Sequence, residues 1–293
     1  MPAQSNAPTR ALVLGGGGPA GVGWQTGLLA GLREAGVGLD QADVILGTSA
    51  GSVVGAQLAT GRDLADVSTH LSAVGHHIGP DALAASAGVL LSAMEQAGRD
   101  SDPRRALAVI GRSAQSAGTL DEDAYLDLFG IFADTDWPAG FQCTAIDTDS
   151  GELAIWGTDS GVPLQRAVAS SCSIPALFPP VTIAGRRFMD GGVLSHLNAA
   201  AVPATDLVLA ISCFALSDQE NGNGPRFRAV ADIVNSELDH LRGGRQVMAI
   251  EPAFGDGMAP PKTVSPESVI QATETGLRQA AQAGPQVRAF WNP

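Results

Sequence analysis

The stretch Asp43-Val-Ile-Leu-Gly-Thr-Ser-Ala-Gly-Ser-Val-Val54 decides how this chain is read. Asp43 to Leu46 is a short apolar run of the buried-strand type, and a small-residue helical stretch runs from Ser52 to Thr60. Between them Gly47-Thr48-Ser49-Ala50-Gly51 forms a GxSxG sequence. Such a five-residue pattern recurs by chance, so alone it is weak. At the end of a strand, with a helix following, it becomes specific. A tight turn there projects Ser49 out of the sheet, and glycines on both sides remove side chains that would collide. The helix N-terminus beneath favours a developing negative charge. The plainer alternative is a serine that only caps a helix.

Upstream, Arg10 to Leu14 leans to strand and stops at Gly15-Gly16-Gly17-Gly18-Pro19-Ala20-Gly21; Val22, Leu28, Leu29 and Leu32 then recur at helical spacing until Gly36. A strand-helix-strand unit this short implies neighbouring parallel strands with a right-handed crossover. Glycine amides free of side chains can converge on an anion, either a phosphate or the oxyanion of acyl transfer. Gly16-x-Gly18-x-x-Gly21 formally matches the dinucleotide fingerprint, which also needs an acidic residue near the C-terminal end of the second strand. Asp43 instead begins that strand, so nucleotide binding stands as the second reading of this loop.

Downstream, residues 63–130 are alanine-rich, punctuated by Gly79-Pro80, Gly98, Asp102-Pro103 and Gly118, and read as a helical insertion. Within it the uncharged segment Ala82 to Met94 reads either as a buried helix or as a lid or acyl-chain channel over the site. Strands are expected at Phe141–Thr148 and Glu152–Trp156, joined as a hairpin through Asp149-Ser150-Gly151, then at Val181–Ile183, Arg187–Met189, Leu207–Leu216 and Gln246–Ile250. A terminal helix is expected over Ser265–Ala283, before Gly284-Pro285. Ser217–Pro225 and Phe254–Pro261 read as exposed loops. Strands alternate with helices and no repeat appears, so the expected organisation is a flexible lead-in at 1–9 and a single α/β domain at 10–293.

Composition narrows the function. With 45% hydrophobic and 16% charged residues in a chain of 293, the protein is too apolar to be disordered. Thirty acidic residues against 17 Lys and Arg leave a net charge of −13, which argues against nucleic acid or an anionic membrane surface as electrostatic partners. Cys143, Cys172 and Cys213 are odd in number and widely spaced, indicating neither a disulfide framework nor a thiolate metal site, and a reducing, cytoplasmic location is expected. The first ten residues lack the pattern of a secretory signal. Ala11 to Leu32 is uncharged, but its glycines break any spanning helix.

A nucleophilic serine needs a proton acceptor. Of the five histidines, His70, His76 and His77 fall in the helical segment, while His196 and His240 could complete a Ser-Asp-His order with Ser49 and Asp190. Against this, Ser49 ends only the second strand, whereas several strands precede the nucleophile in ordinary α/β-hydrolases. Asp190-Gly191-Gly192 ends a short strand and is either a surface turn or a turn that brings a carboxylate to Ser49 as a direct base, best if partly desolvated.

Together, Gly16-Gly17-Gly18-x-x-Gly21, Gly47-x-Ser49-x-Gly51 and Asp190-Gly191-Gly192 resemble the patatin-like phospholipase family, in the same order and settings. The likeness extends to Ala169-Ser-Ser-Cys-Ser-Ile-Pro175 and Phe178-Pro-Pro-Val181, and covers roughly residues 10 to 215. It implies a three-layer αβα sandwich around a mainly parallel sheet, and lipid acyl hydrolysis by a Ser-Asp dyad without histidine; no metal or organic cofactor is expected, since the Asp and His residues show no compact ligand spacing such as HExxH. Ser49 becomes the nucleophile and Asp190 the base, with the amides of Gly16, Gly17 and Gly18 as the oxyanion hole. Gly47, Gly51, Gly191, Gly192 and Asn198 are expected to support them, Asn198 by bracing the Asp190 turn. The implied partner is a lipid or other acyl ester, with transient lipid-surface contact. The family commonly carries Arg or Lys where Ala20 stands, and its absence here shifts the expected substrate from phospholipid head groups toward neutral esters.

Overall fold

The computed structural model describes residues 8–64, 89, 92–115, 120–216, 225–253 and 266–292. Its centre is the pair formed by β1 (Arg10–Leu14) and β2 (Val44–Gly47), joined by α1 (Gly18–Glu34) and parallel in register, Leu14 opposite Gly47. On the other edge of β1 lies β7 (Leu207–Ile211), followed by β8 (Gln246–Ile250), both parallel. The strand beside β2 is still parallel to it, and beyond that strand the sheet becomes antiparallel. There β3 (Phe141–Asp147) pairs with β4 (Leu153–Trp156) and with β6 (Arg186–Asp190), which in turn pairs with β5 (Val181–Ile183). This mixed eight-stranded sheet has a parallel middle and an antiparallel flank.

Side chains alternate across β1 because successive strand residues face opposite sides. Leu12 and Leu14 enter one core with α1, α2 (Ala50–Ala59) and α7 (Pro266–Trp291). Ala11 and Val13 enter another with Val234, Leu238 and Leu241 of α6 (Pro225–Arg242). Helices therefore cover both faces, as the αβα expectation required. The helical segment before β3 includes α3 (Pro103–Ala114) and α4 (Glu122–Asp127), each started by an aspartate, Asp102 or Asp121, whose carboxylate accepts a first-turn amide.

Three expectations need correction. The terminal helix does not stop before Gly284-Pro285 but continues to Trp291. Proline in a helix interior costs about 3 kcal/mol, and tertiary burial offsets it: Val287 and Trp291 are buried, and the Trp291 indole donates to the Gly38 carbonyl at 3.0 Å. The same helix packs on α1 backbone to backbone. A Cβ on Gly27 would sit 2.0 Å from the Thr273 carbonyl oxygen, and one on Gly276 2.1 Å from that of Trp24. Second, β7 ends at Ile211 rather than Leu216: the Ser212 hydroxyl bonds both the amide and the carbonyl of Phe214, which turns the chain off the sheet, and Phe214 lines a cavity. Third, α6 lies in a stretch for which no helix was expected. Residues 1–7, 65–88, 90, 91, 116–119, 217–224, 254–265 and 293 are outside the described residues, and with them most of the expected lead-in at 1–9 and of the 82–94 segment, His70, His76, His77, the expected loop at 254–261 and that at 217–225 up to Pro225, which begins α6.

Candidate active site

Between β2 and α2 the chain turns so tightly that Ser49 adopts φ 53°, ψ −119°. Such a conformation costs a non-glycine residue on the order of 1–3 kcal/mol and persists only where the surroundings over-determine it. They do so here. The Thr48 amide donates to the Leu14 carbonyl at 3.0 Å, and a Cβ on Gly51 would lie 2.0 Å from that same oxygen, so only glycine lets the turn sit against the end of β1. The Ser49 hydroxyl makes no cap bond to α2, which removes the helix-cap reading.

The sheet brings Asp190 to this turn. On β3, Cys143 is flanked by Gly47 of β2 and Trp156 of β4; Ala145 is flanked by Asp190 of β6 and Ala154 of β4. Since β4 occupies one edge at both positions, β2 and β6 share the other and meet head to head, with only Thr144 between their ends. The Asp190 carboxylate thus lies within hydrogen-bonding reach of the Ser49 hydroxyl, while its Oδ1 accepts the Gly192 amide at 2.7 Å. Asp190 is 4% exposed, so the surface-turn alternative does not hold. Burial raises its pKa to about 7, against the opposing pull of the Ser49 and Gly192 hydrogen bonds.

The turn after Asp190 is tied down. A Cβ on Gly191 would meet Thr144 Oγ1 at 2.4 Å. Asn198 sits at φ 50° with its amide nitrogen 3.1 Å from the Gly191 carbonyl, 2.6 Å from that of Ser195 and 3.2 Å from Thr48 Oγ1. It therefore links the turn carrying Asp190 to the one carrying Ser49. Thr48 and Thr144, whose hydroxyls meet at 2.8 Å, belong to the same polar knot and were not singled out from the sequence.

The glycine loop runs beside Ser49: a Cβ on Gly16 would come within 3.2 Å of the Ser49 Cβ. The Gly16 amide is already committed to the His196 carbonyl at 2.7 Å. That engagement goes against the expectation of the Gly16 amide as an oxyanion donor. Among the described residues no protein acceptor takes the amides of Gly17 or Gly18, which open α1.

Neither described candidate histidine reaches the pair by a hydrogen bond. His196 lines the same cavity, but its Nε2 is 3.2 Å from Ser212 Oγ, its ring meets Phe214 edge to face, and burial lowers its pKa to about 4. His240 is exposed on α6. The cavity above Ser49 and Asp190 has a volume of about 580 Å³. Ile174, Val193, Leu194, Phe214, Val230 and Ile233 contribute apolar walls, and Met94 and Glu95 stand at its side. No Lys or Arg lines it among the described residues, and Ala20 packs against the core. No group of His, Cys, Asp and Glu among them could hold a metal ion, and no described helix is long and apolar enough to cross a membrane.

A serine raised on a strand-to-helix turn, a buried carboxylate against it and unpaired glycine amides beside it make up the arrangement that acyl-transfer chemistry calls for. The chain belongs to the patatin-like phospholipase family, whose profile matches residues 12–203. It is 28% identical over 214 residues to the NTE family protein Mb1092c of Mycobacterium bovis, covering 71% of this chain and 50% of that one. It is also 28% identical over 211 residues to lysophospholipase NTE1 of Coccidioides immitis, covering 71% of this chain and 12% of that one. The crystal structure of VipD from Legionella pneumophila superposes with a TM-score of 0.46 at 15% identity, covering 96% of this chain and 67% of that one. The chain thus spans half the length or less of these two sequence relatives.

Proposed function

We propose that this chain hydrolyses carboxylic esters of lipids by two-step acyl transfer through a Ser49–Asp190 dyad. The observation that carries the reading is the Ser49 hydroxyl within reach of a buried carboxylate, with neither described histidine, His196 or His240, hydrogen-bonded to the pair. Asp190, its pKa raised by burial to about 7, takes the proton as Ser49 Oγ attacks the ester carbonyl. The oxyanion is held by the Gly17 and Gly18 amides at the N-terminus of α1. Asp190 then gives the proton to the leaving alcohol, and water, activated by the same carboxylate, cleaves the acyl-enzyme.

Family membership and the fungal lysophospholipase relative support a lipid ester as substrate. The cavity favours an uncharged one. Its described walls hold apolar side chains and two carboxylates, Asp190 and Glu95, with no cation to neutralise a phosphate. Met94 and Ile233, 52% and 47% exposed, line it and suit hydrophobic rather than electrostatic contact with a lipid surface.

Labelling with a fluorophosphonate, followed by p-nitrophenyl ester turnover, tests the dyad. Ser49→Ala should lose labelling, and Ser49→Ala and Asp190→Asn should each lose turnover by at least about 10³-fold. His240→Ala and His196→Gln should retain most of it; a collapse in either would replace the dyad by a triad.

A further inference from the structure

The end of α5 (Leu164–Ser171) and the two residues after it touch both members of the proposed pair. The Ser49 amide donates to Ser171 Oγ at 2.9 Å, and Cys172 Sγ donates to the Ser49 carbonyl at 3.3 Å. One residue on, the Ser173 carbonyl accepts the Asp190 amide at 2.9 Å. Three consecutive residues therefore grip the nucleophile's backbone on both sides and the backbone of its base.

We propose that Ser171-Cys172-Ser173 is a positioning clamp that sets the Ser49–Asp190 geometry, with Ser171 as its principal residue; this rests on the dyad reading above. Ser49 is held at a φ that most side chains avoid, and its amide is buried, so the loss of its acceptor is costly. Ser52 Oγ also donates to the Ser49 carbonyl, at 2.7 Å, so the carbonyl has a second holder. For the amide, Ser171 is the partner found, which makes it the sensitive member. The clamp is itself anchored. The Tyr125 hydroxyl donates to the Ala169 carbonyl at 3.0 Å, and Ser173 Oγ to the Pro179 carbonyl at 2.7 Å. Movement of Ser171 would shift the serine relative to the carboxylate, and small misplacements of reacting groups are expensive in rate.

Ser170 supplies the control. It is as buried as Ser171, but its hydroxyl donates to the Ala167 carbonyl and accepts from the Trp156 indole, without touching Ser49. With a short-chain p-nitrophenyl ester, Ser171→Ala should lower kcat about 100-fold with KM changed by less than about threefold, and slow fluorophosphonate labelling to match. Ser171→Thr, which keeps the hydroxyl, should recover to within about fivefold of wild type, and Ser170→Ala should label at the wild-type rate even if it melts lower. If Ser171→Ala fails to fold, Ser171→Cys keeps the size with a poorer acceptor and should label at least about tenfold more slowly. A wild-type labelling rate in the folded Ser171 variant, or an equal loss in Ser170→Ala, overturns the clamp. Undiminished labelling and turnover in Ser49→Ala would instead overturn the dyad beneath it, so the two failures are distinguishable.

Discussion

The Asp190 carboxylate lies against the Ser49 hydroxyl because β6 and β2 meet end to end along one edge of β3, antiparallel and parallel to it respectively. Two strands pointing at one another bring their last residues together without any loop having to reach. Asp190 is the last residue of its strand and Ser49 lies two residues past the end of β2, so the pair sits at the edge of the sheet. The polar knot of Thr48, Thr144 and Asn198 beneath it carries the hydrogen bonds that the turns leave over.

Activity should depend on pH through Asp190. As the proposed base it must be ionised, so kcat/KM is expected to rise with pH through about 7 and level off above. Profiles of ester turnover between pH 5 and about 9 check this. A plateau already reached at pH 5 would show that a carboxyl of ordinary acidity, or a different group, is at work.

The same shift makes a stability prediction of opposite sense. A carboxyl whose folded pKa lies above its unfolded value holds its proton more tightly when folded. Its stabilising effect is complete below the unfolded value, near 3.8, and is lost as pH rises through about 7. Asp190→Asn cannot ionise, so its melting temperature relative to wild type should be higher at alkaline than at acid pH. Melting curves of both proteins at the two ends of that range give the comparison.

Asn198→Ala should destabilise the protein by about 1–3 kcal/mol, since it strips a donor from buried acceptors at Gly191 and Ser195 and leaves alanine at positive φ. Asn198→Gly relieves the backbone but not the lost donor, so it should fall between wild type and alanine in urea unfolding.

Trp291→Ala is expected to cost about 3–5 kcal/mol, the usual price of emptying a large buried aromatic site. Phe290→Ala, one residue earlier and only partly buried, should cost clearly less. Equal effects in denaturant titrations would mean that the last turn of α7 does not hold the core.

Ile233→Asp and Met94→Asp should depress hydrolysis of long-chain esters at least about tenfold more than of short-chain ones, because each buried methylene of a chain is worth about 0.8 kcal/mol against an apolar wall. Glu95→Lys should raise the rate on anionic lipid esters relative to neutral ones. A chain-length and head-group panel reads both.

Much of this was legible in the linear chain because it rests on local rules. Gly47 and Gly51 around Ser49, the glycine run after β1 and the Asp190-Gly191-Gly192 turn each announce a backbone that side chains would obstruct, and alternating strand and helix signals carry the α/β class. The true end of the terminal helix is not legible at Gly284-Pro285, because local propensity says stop there, whereas the burial of Val287 and Trp291 is a long-range fact. The commitment of the Gly16 amide to His196 was equally invisible, since a hydrogen bond between distant segments leaves no mark on spacing.

Ser171, Cys172 and Ser173 show the boundary most plainly. As a string, Ala169-Ser-Ser-Cys-Ser-Ile-Pro175 supports a family resemblance and assigns no task to any of its serines. By itself the sequence determined which residues could do chemistry, because nucleophile, carboxylate and glycine turns are set by residue type and local conformation. Only the tertiary structure decided which of them meet, which amides stay unpaired, and which histidines are engaged or exposed elsewhere. Those outcomes depend on strand order and on hydrogen bonds across the sheet, which no local pattern encodes.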